Sequence, residues 1–263
     1  MCMNIHQHLY DAIFFSPHLD DAVLSAGAHI ASLTAQRKRV LVATVFTQAG
    51  SVHLSGDAQV FLEKSGGRTA PELFADRKQE DMDALRILGA DYVHLDYVDA
   101  LFRTKENAQT APSSSRQLYP TLDAVFSAQI HPHDQQLLAQ LGDECARLHQ
   151  CLKKGGTFFA ALGIGGHIDH VLCYMAVQHI PTRDLVFWED VPYRIEHQKV
   201  LKRAHHIGKE KLLPRNVMSY TMTPNAAKKK HLATRAYVSQ IAAIDATGLS
   251  TAQLYMERYF HAT

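Results

Sequence analysis

The chain has 263 residues, of which 46% are hydrophobic and 20% charged, and its formal net charge is +1 at pH 7. This composition allows a sizeable core, and we expect residues 1–263 to form one domain. The near-neutral charge argues against nucleic acid as the main partner, because nucleic-acid-binding domains usually carry a basic surplus. No apolar run reaches the roughly 18 residues of a membrane helix, and the N-terminus lacks a secretion-signal pattern. We therefore predict no membrane span and a cytoplasmic location.

Hydrophobic periodicity predicts strands alternating with helices along the chain. The predicted strands cover residues 11–17, 39–47, 91–99, 156–166 and 184–193. The predicted helices cover residues 20–38, 72–89, 133–156, 167–180, 225–243 and 251–260. This order indicates an α/β fold with a Rossmann-like, mostly parallel sheet and helices on both faces. In such folds the active site lies at the carboxyl ends of the strands.

Two histidine-rich segments follow predicted strands. SPHLDD comes after the first strand, and its His18 and Asp21 are three positions apart. GHIDH comes after the fourth strand, and its His167 and His170 have the same spacing. Residues three apart on a helix project to one side, so each segment can present two polar groups together. The fold class would place both segments at the same edge of the sheet.

These residue types fit metal-assisted hydrolysis. Catalytic zinc sites typically use three protein ligands and leave a position for water, and His18, Asp21 and His170 offer such a set. Asp20 and His167 are then left over. A carboxylate beside the metal is a natural general base, and a further histidine can protonate a leaving group or stabilise an oxyanion.

A purely structural interpretation exists for each segment alone. Asp20 and Asp21 could serve as a helix N-cap and a partner of the helix dipole, and His167 or Asp169 could cap the second helix. We favour the functional interpretation because both segments occur in one chain, each after a buried strand.

The same residues resemble a known family. A strand followed by HxDD, with a later HxDH, is similar to the LmbE-like (PIG-L) family of zinc-dependent N-acetylglucosamine de-N-acetylases. Further matching segments occur in the family's order: RKQEDMDALRILGADYVHL from Arg77, VDALFR from Val98, FWEDVPY from Phe187 and KKKHLATRAYVSQ from Lys228. Many members read HPDDE, whereas this chain has Leu19 and Ala22 at the second and fifth positions. Neither position is an expected ligand.

The resemblance implies specific roles for these residues. It implies His18, Asp21 and His170 as zinc ligands, Asp20 as general base, and His167 as the group that stabilises the tetrahedral intermediate or protonates the amine. It also implies an N-acetylated amino sugar or its conjugate as substrate, with acetate and a free amine as products. Two histidines and one carboxylate also suit ferrous iron, so Fe²⁺ is an alternative to Zn²⁺.

Other polar residues are candidates for contact with substrate. Asp99 and Arg103 follow the third predicted strand, and Glu189 and Asp190 follow Trp188 in the fifth. The alternatives are a loop ion pair for the first two and support of the HxDH loop for the second two. Trp188 could stack on a sugar ring or belong to the core.

Two further features are interpreted as surface groups. Arg77 and Glu80 have the spacing of an ion pair on an exposed helix face. The basic run Lys228–Lys230 is interpreted as a solvated helix face.

Two alternative functions remain open. One is an amidase acting on a non-sugar acylated molecule or thiol conjugate, and the other is a non-catalytic metal-containing binding protein on the same fold. We expect substrate specificity to lie in the loops at about 50–75 and 100–135. The sequences of these loops do not identify a substrate. The sequence makes no prediction of oligomeric state.

Overall fold

The computed structural model describes residues 9–50, 54, 56–66, 68–105, 116–192, 217–220 (backbone only), 222–241 and 256–262. The strands are β1 (Tyr10–Ser16), β2 (Val40–Gln48), β3 (Asp91–Val98), β4 (Leu152–Ala161), β5 (Leu185–Trp188), β6 (Val217–Tyr220) and β7 (Glu257–His261). The α-helices are α1 (Asp21–Ala35), α2 (Gly56–Lys64), α3 (Ala70–Leu88), α4 (Leu122–Val125), α5 (Gln135–Gln150), α6 (Ile168–Ala176) and α7 (Pro224–Thr234).

The strands described form one sheet in the order β3-β2-β1-β4-β5-β7-β6. The first five are parallel to one another, and β7 runs antiparallel to both β5 and β6. The predicted Rossmann-like, mostly parallel sheet is therefore confirmed. The strand order reverses direction at β1, and the crevice beside such a switch point is where α/β sheets bind ligands.

Both faces of the sheet are covered. Successive residues of β1 belong to different core clusters, because side chains along a strand alternate between faces. Ile13 and Phe15 pack in the cluster that includes α5 and α6 residues, whereas Ala12 and Phe14 pack in the one with α1, α3 and α7 residues. Helices therefore lie on both faces, as predicted. Trp188 is fully buried in the second cluster, which places it in the core.

The end of the chain differs from the sequence prediction. The helix predicted over 251–260 is wrong where the structure describes it, because Glu257–His261 forms strand β7. Glu257 and Tyr259 are buried and Arg258 is exposed, so the burial period is two, as in a strand. The helix predicted over 225–243 ends at Thr234 and continues as turns. Residues 242–243 of the first prediction and 251–255 of the second lie outside the described part.

The strand before the HxDH segment also begins earlier than predicted. β4 starts at Leu152, so Gly155 and Gly156 lie inside the strand rather than ending the helix. The pairing with β1 shifts register between Tyr10 and Ala12, which is the mark of a bulge. A Cβ on Gly156 would lie 2.8 Å from the side chain of Leu152, so the strand needs glycine at this point.

Within the described residues, no helix is both long and apolar enough to cross a membrane. The cytoplasmic location stays a prediction, as does the single domain over residues 1–263.

Candidate active site

The candidate residues meet at one edge of the sheet, as the fold class predicts. His18 follows the carboxyl end of β1, Asp99 follows β3, His167 follows β4 and Asp190 follows β5. The rings of His18 and His167 lie 4.7 Å apart between centroids. Segments about 150 residues apart in sequence are therefore in contact.

Three donor atoms converge within this edge. Oδ2 of Asp21 lies 3.3 Å from Nδ1 of His18 and 3.1 Å from Nε2 of His170. His170 is fully buried, and the side chains of His18 and Asp21 are almost so. Burial alone would raise the pKa of Asp21, but His170 and His18 lower it far below its usual value. Asp21 is therefore a carboxylate, which is the form that binds a cation.

In each of His18 and His170, the ring nitrogen that does not face Asp21 lies close to a buried carboxylate. Nε2 of His18 lies 3.0 Å from Oδ2 of Asp169, and Nδ1 of His170 lies 2.7 Å from Oδ1 of Asp190. In metal sites, a histidine ligand usually donates its second ring N–H to a carboxylate, which fixes the tautomer and strengthens the ligand. Both candidate ligands follow this pattern.

The donor set fits a divalent cation such as zinc or ferrous iron. Two alternative ligand sets have donor atoms within 4.8 Å of one another: His18, His167 and His170, and His18, Asp99 and Asp169. In the second set both oxygens of Asp169 already accept hydrogen bonds, from Ala100 and Arg103. In the first set, Nδ1 of His167 accepts a hydrogen bond from the backbone N–H of Asp169. The proton of the neutral ring then lies on Nε2, so that nitrogen is a donor and not a ligand. The geometry favours His18, Asp21 and His170 as the set that could hold the metal.

Asp20 occupies a strained position at the start of α1. Its φ is 128°, a value that side-chain-bearing residues rarely adopt and that costs roughly 1–3 kcal/mol. Its side chain makes no cap hydrogen bond, and the hydroxyl of Ser16 instead accepts from the N–H of Ala22. Asp20 thus occupies the N-cap position, but its side chain does not cap the helix. Burial and the adjacent charge of Asp21 raise the pKa of Asp20 to about 7, in the range suited to a general base at neutral pH.

His167 lies at the N-terminus of α6, against the ring of Phe126 at 5.0 Å between centroids. Its Nδ1 accepts from the N–H of Asp169 and so caps α6, which confirms the capping alternative for His167. Burial lowers the pKa of His167 well below its usual value, and the charge of His18 acts in the same direction. His167 is thus a neutral ring with an Nε2–H to donate.

The glycines before His167 allow close packing at this turn. Gly166 has a φ of 77°, and a Cβ there would lie 2.9 Å from the carbonyl oxygen of Phe126. The N–H of Ile164 donates to Oδ2 of Asp190 at 2.9 Å. One carboxylate therefore holds both the glycine-rich turn and His170, which is the loop support considered as an alternative for Asp190.

The other three residues considered for substrate contact, Arg103, Asp99 and Glu189, have different partners in the structure. Arg103 donates to Asp169 at 2.7 Å and lies 3.2 Å from Asp134, so it forms a buried ion-pair network. Asp99 accepts a hydrogen bond from the N–H of Leu101 through Oδ1, and its Oδ2 lies 3.6 Å from Nε2 of His18. Glu189 lies 3.6 Å from Arg258. Of these residues, Asp99 has an oxygen that faces the candidate metal ligands.

The sequence analysis gave two residues at the site only structural or surface roles. Asp169 is fully buried and accepts from His18, Arg103 and the N–H of Ala100, so it joins the two histidine segments to the loop after β3. Arg77 is also buried, and it donates to the carbonyl of Leu19 at 3.1 Å. Its interpretation as half of a surface pair with Glu80 is wrong.

The family follows from a direct comparison. Residues 13–180, which include both histidine segments, match the model of the PIG-L family, described as GlcNAc-PI de-N-acetylase. The chain belongs to the PIG-L family. This confirms the resemblance carried by HxDD and HxDH. Among curated relatives, a 2'-N-acetylparomamine deacetylase of Niallia circulans is 25% identical over 72% of this chain and 70% of its own length. Another of that name from Streptomyces fradiae is 27% identical over 69% of this chain and 57% of its own.

Solved structures support the fold. The zinc-inhibited form of the teicoplanin deacetylase Orf2 superposes with a TM-score of 0.73 at 23% identity, over 95% of this chain and 96% of that one. The A40926 pseudoaglycone deacetylase Dbv21 superposes with a TM-score of 0.65 at 24% identity, over the same shares. At this identity the likeness concerns the fold alone.

Proposed function

We propose that this PIG-L protein is a metal-dependent deacetylase that hydrolyses the N-acetyl group of an amino sugar or its conjugate. The observation that carries the proposal is the arrangement of Asp20 and His167. Asp20 is diverted from helix capping, and His167 keeps its Nε2–H free of the metal-facing set. A site that served structure alone would need neither the uncapped carboxylate of Asp20 nor the Nε2–H that His167 keeps beside its capping role. The curated relatives, which are named as deacetylases of an N-acetylated amino sugar, support the same reaction.

His18, Asp21 and His170 would hold the cation, with zinc as the first candidate and ferrous iron as the second. When bound, a divalent cation polarises the amide carbonyl and acidifies the attacking water. Asp169 and Asp190 orient the two histidines from behind. They also keep each ligating nitrogen unprotonated by accepting the proton of the other.

Asp20 acts as the general base. It takes a proton from water as the water oxygen bonds to the acetamide carbon, which forms a tetrahedral intermediate. The C–N bond then breaks as protonated Asp20 returns its proton to the leaving nitrogen, while His167, a neutral ring, stays a hydrogen-bond donor. Acetate and a free amine result, and the water supplies the oxygen and both protons that the products gain.

His167 stabilises the negative oxygen of the tetrahedral intermediate. A neutral imidazole donates its Nε2–H without first having to lose or gain a proton, and the packed ring of Phe126 holds its orientation. A donor aimed at a developing oxyanion in a buried site typically lowers the activation free energy by about 3–4 kcal/mol. We assign this function to His167 for that reason.

The substrate is expected to meet the loops that follow the strands. Asp99 is proposed as an acceptor for sugar hydroxyls through Oδ2, and Glu189 stays a second candidate. For Arg103 and Asp190 the contacts favour positioning of Asp169 and His170 over direct substrate contact. Residues 51–53, 55, 67 and 106–115 of the expected specificity loops lie outside the described part.

Acetate release tests the proposal. The protein is incubated with N-acetylglucosamine conjugates and N-acetylated aminoglycosides, and its metal content is measured on the same preparation. The proposal expects metal-dependent acetate release. Release only from non-sugar acetamides would instead establish the amidase alternative. A metal-loaded protein that hydrolyses no amide would support the binding-protein alternative.

A further inference from the structure

The strained backbone of Asp20 is held from both sides. The value of φ at a residue depends on how the preceding planar peptide is rotated about the N–Cα bond. On the far side, the carbonyl of Asp20 accepts from the N–H of Leu24 at 2.9 Å, an ordinary helix hydrogen bond. On the near side, the carbonyl of Leu19 accepts from Nη2 of Arg77 at 3.1 Å. One side chain from another helix therefore fixes the peptide that sets the φ of Asp20.

Arg77 is well placed to hold that peptide. It lies in α3, whose first turn is fixed by a capping box between Thr69 and Glu72. Its guanidinium lies over the ring of Phe74, 5.5 Å from the ring centroid. Its side chain is only 7% exposed, so water does not compete freely for the hydrogen bond to Leu19.

The contact between Arg77 and the carboxylate of Asp20 is weaker than its contact with the backbone. Nη2 lies 3.9 Å from Oδ2 of Asp20, which is too long for a hydrogen bond. The guanidinium thus holds the backbone directly and leaves both carboxylate oxygens available. A direct hydrogen bond would instead occupy an oxygen that the general base needs.

We infer that Arg77 is a positioning residue that holds the Leu19–Asp20 peptide so that the Asp20 carboxylate points away from the helix cap and toward the reacting water. Without Arg77, the peptide can rotate and φ can relax to a negative value. Asp20 would then take the ordinary cap position, where its oxygen accepts from the first N–H groups of α1. The predicted effect on kcat rests on the proposed function, whereas the predicted effect on the φ of Asp20 does not.

The kinetic test uses Arg77→Ala and Arg77→Lys, with Arg86→Ala as the matched control. Arg86 lies in the same helix, and its exposed side chain pairs with Asp83. Arg77→Ala should lower kcat on the order of 100-fold, because a small misplacement of a catalytic group has effects of that size. KM and metal content should stay nearly unchanged, and Arg77→Lys should retain part of kcat. Arg86→Ala should behave like the wild type.

Chemical rescue separates positioning from general loss of structure. Guanidinium ion at millimolar concentration, well below denaturing levels, should restore part of kcat to Arg77→Ala. It should not raise kcat of the wild type or of Arg86→Ala. A rise in KM with kcat unchanged would show that Arg77 binds substrate instead, and it would overturn the inference.

A crystal structure of Arg77→Ala supplies a readout that needs no turnover. The φ of Asp20 should leave the positive region, and its carboxylate should cap α1. A φ that stays near its wild-type value in the variant would overturn the inference, even if kcat fell. If the wild type released no acetate from any substrate, the proposed function would fail while this structural result still decided the role of Arg77. Should Arg77→Ala not fold, Arg77→Met, which keeps the length of the side chain but has no donor for the Leu19 carbonyl, takes its place in the same measurement.

Discussion

Asp190 accepts a hydrogen bond from Nδ1 of His170 at 2.7 Å and another from the N–H of Ile164 at 2.9 Å. The first contact orients a candidate metal ligand, and the second fixes the glycine-rich turn before it. Both groups are almost completely buried. A residue just after β5 therefore supports a candidate metal ligand at the start of α6.

Asp190→Asn should weaken metal binding by about 10- to 100-fold, because the amide is a poorer acceptor for the Nδ1–H of His170. Competition with a chromophoric zinc chelator measures the affinity. Asp184→Asn is the control, since Asp184 pairs with His149 away from the site. Equal zinc affinity for Asp190→Asn and the wild type would contradict the assignment of His170 as a ligand.

Removal of the Arg103 charge should destabilise the protein strongly. Arg103→Met leaves Asp169 and Asp134 buried without their cation, and breaking a buried pair typically costs about 3–5 kcal/mol. Asp169→Asn in the same chain should recover part of this loss. Urea unfolding measures the free energy of unfolding. Arg147→Met, at an exposed ion pair, should change it by less than about 1 kcal/mol.

His167→Ala should lower kcat by roughly 100- to 1000-fold, the usual effect of removing one oxyanion donor. Metal content should stay at the wild-type level, because His167 is not in the proposed ligand set. His170→Ala serves as the comparison, since it should lose metal as well as activity. Elemental analysis of both variants decides the question, and loss of metal from His167→Ala would revise the ligand set.

The C-terminal strand should depend on one buried ion pair. Nζ of Lys230 lies 2.8 Å from Oε1 of Glu257, and both side chains are at most 1% exposed. Glu257 also accepts from the N–H groups of Ala28 and His29 in α1. Lys230→Met should therefore cost about 3–5 kcal/mol in the free energy of unfolding.

The matched double variant tests whether charge is the cause. Lys230→Met with Glu257→Gln removes both charges and should be more stable than Lys230→Met alone. Lys228→Met, at an exposed position of the same helix, should have little effect. No difference between the single and double variants in urea unfolding would contradict the importance of the ion pair.

The pair also shows where the sequence analysis reached its limit. Lys228 and Lys229 are exposed, as the basic run predicted, but Lys230 is buried. Nothing in KKK distinguishes the third lysine, because its partner lies 27 residues further on in a strand that was predicted as a helix. The assignment of Arg77 to an exposed helix face was wrong for the same reason, since its hydrogen-bond partner Leu19 is 58 positions away.

Local sequence patterns were sufficient to predict most of the strands and helices and the three candidate metal ligands. Buried runs such as Val40–Gln48 predicted the parallel strands, and polar residues just after those strands predicted the site edge. His18, Asp21 and His170 meet as expected because the topology fixes where each strand ends. The joining role of Asp169 depends on three separate segments that meet only in the folded chain.

Acetate release by wild type and Asp20→Ala, measured together with bound metal, tests the central claim most directly. We predict that the wild type releases acetate from an N-acetylated amino sugar only when metal is bound. Asp20→Ala should keep its metal and lose nearly all turnover. Full activity in Asp20→Ala, or acetate release that persists after the metal is removed, would contradict the account.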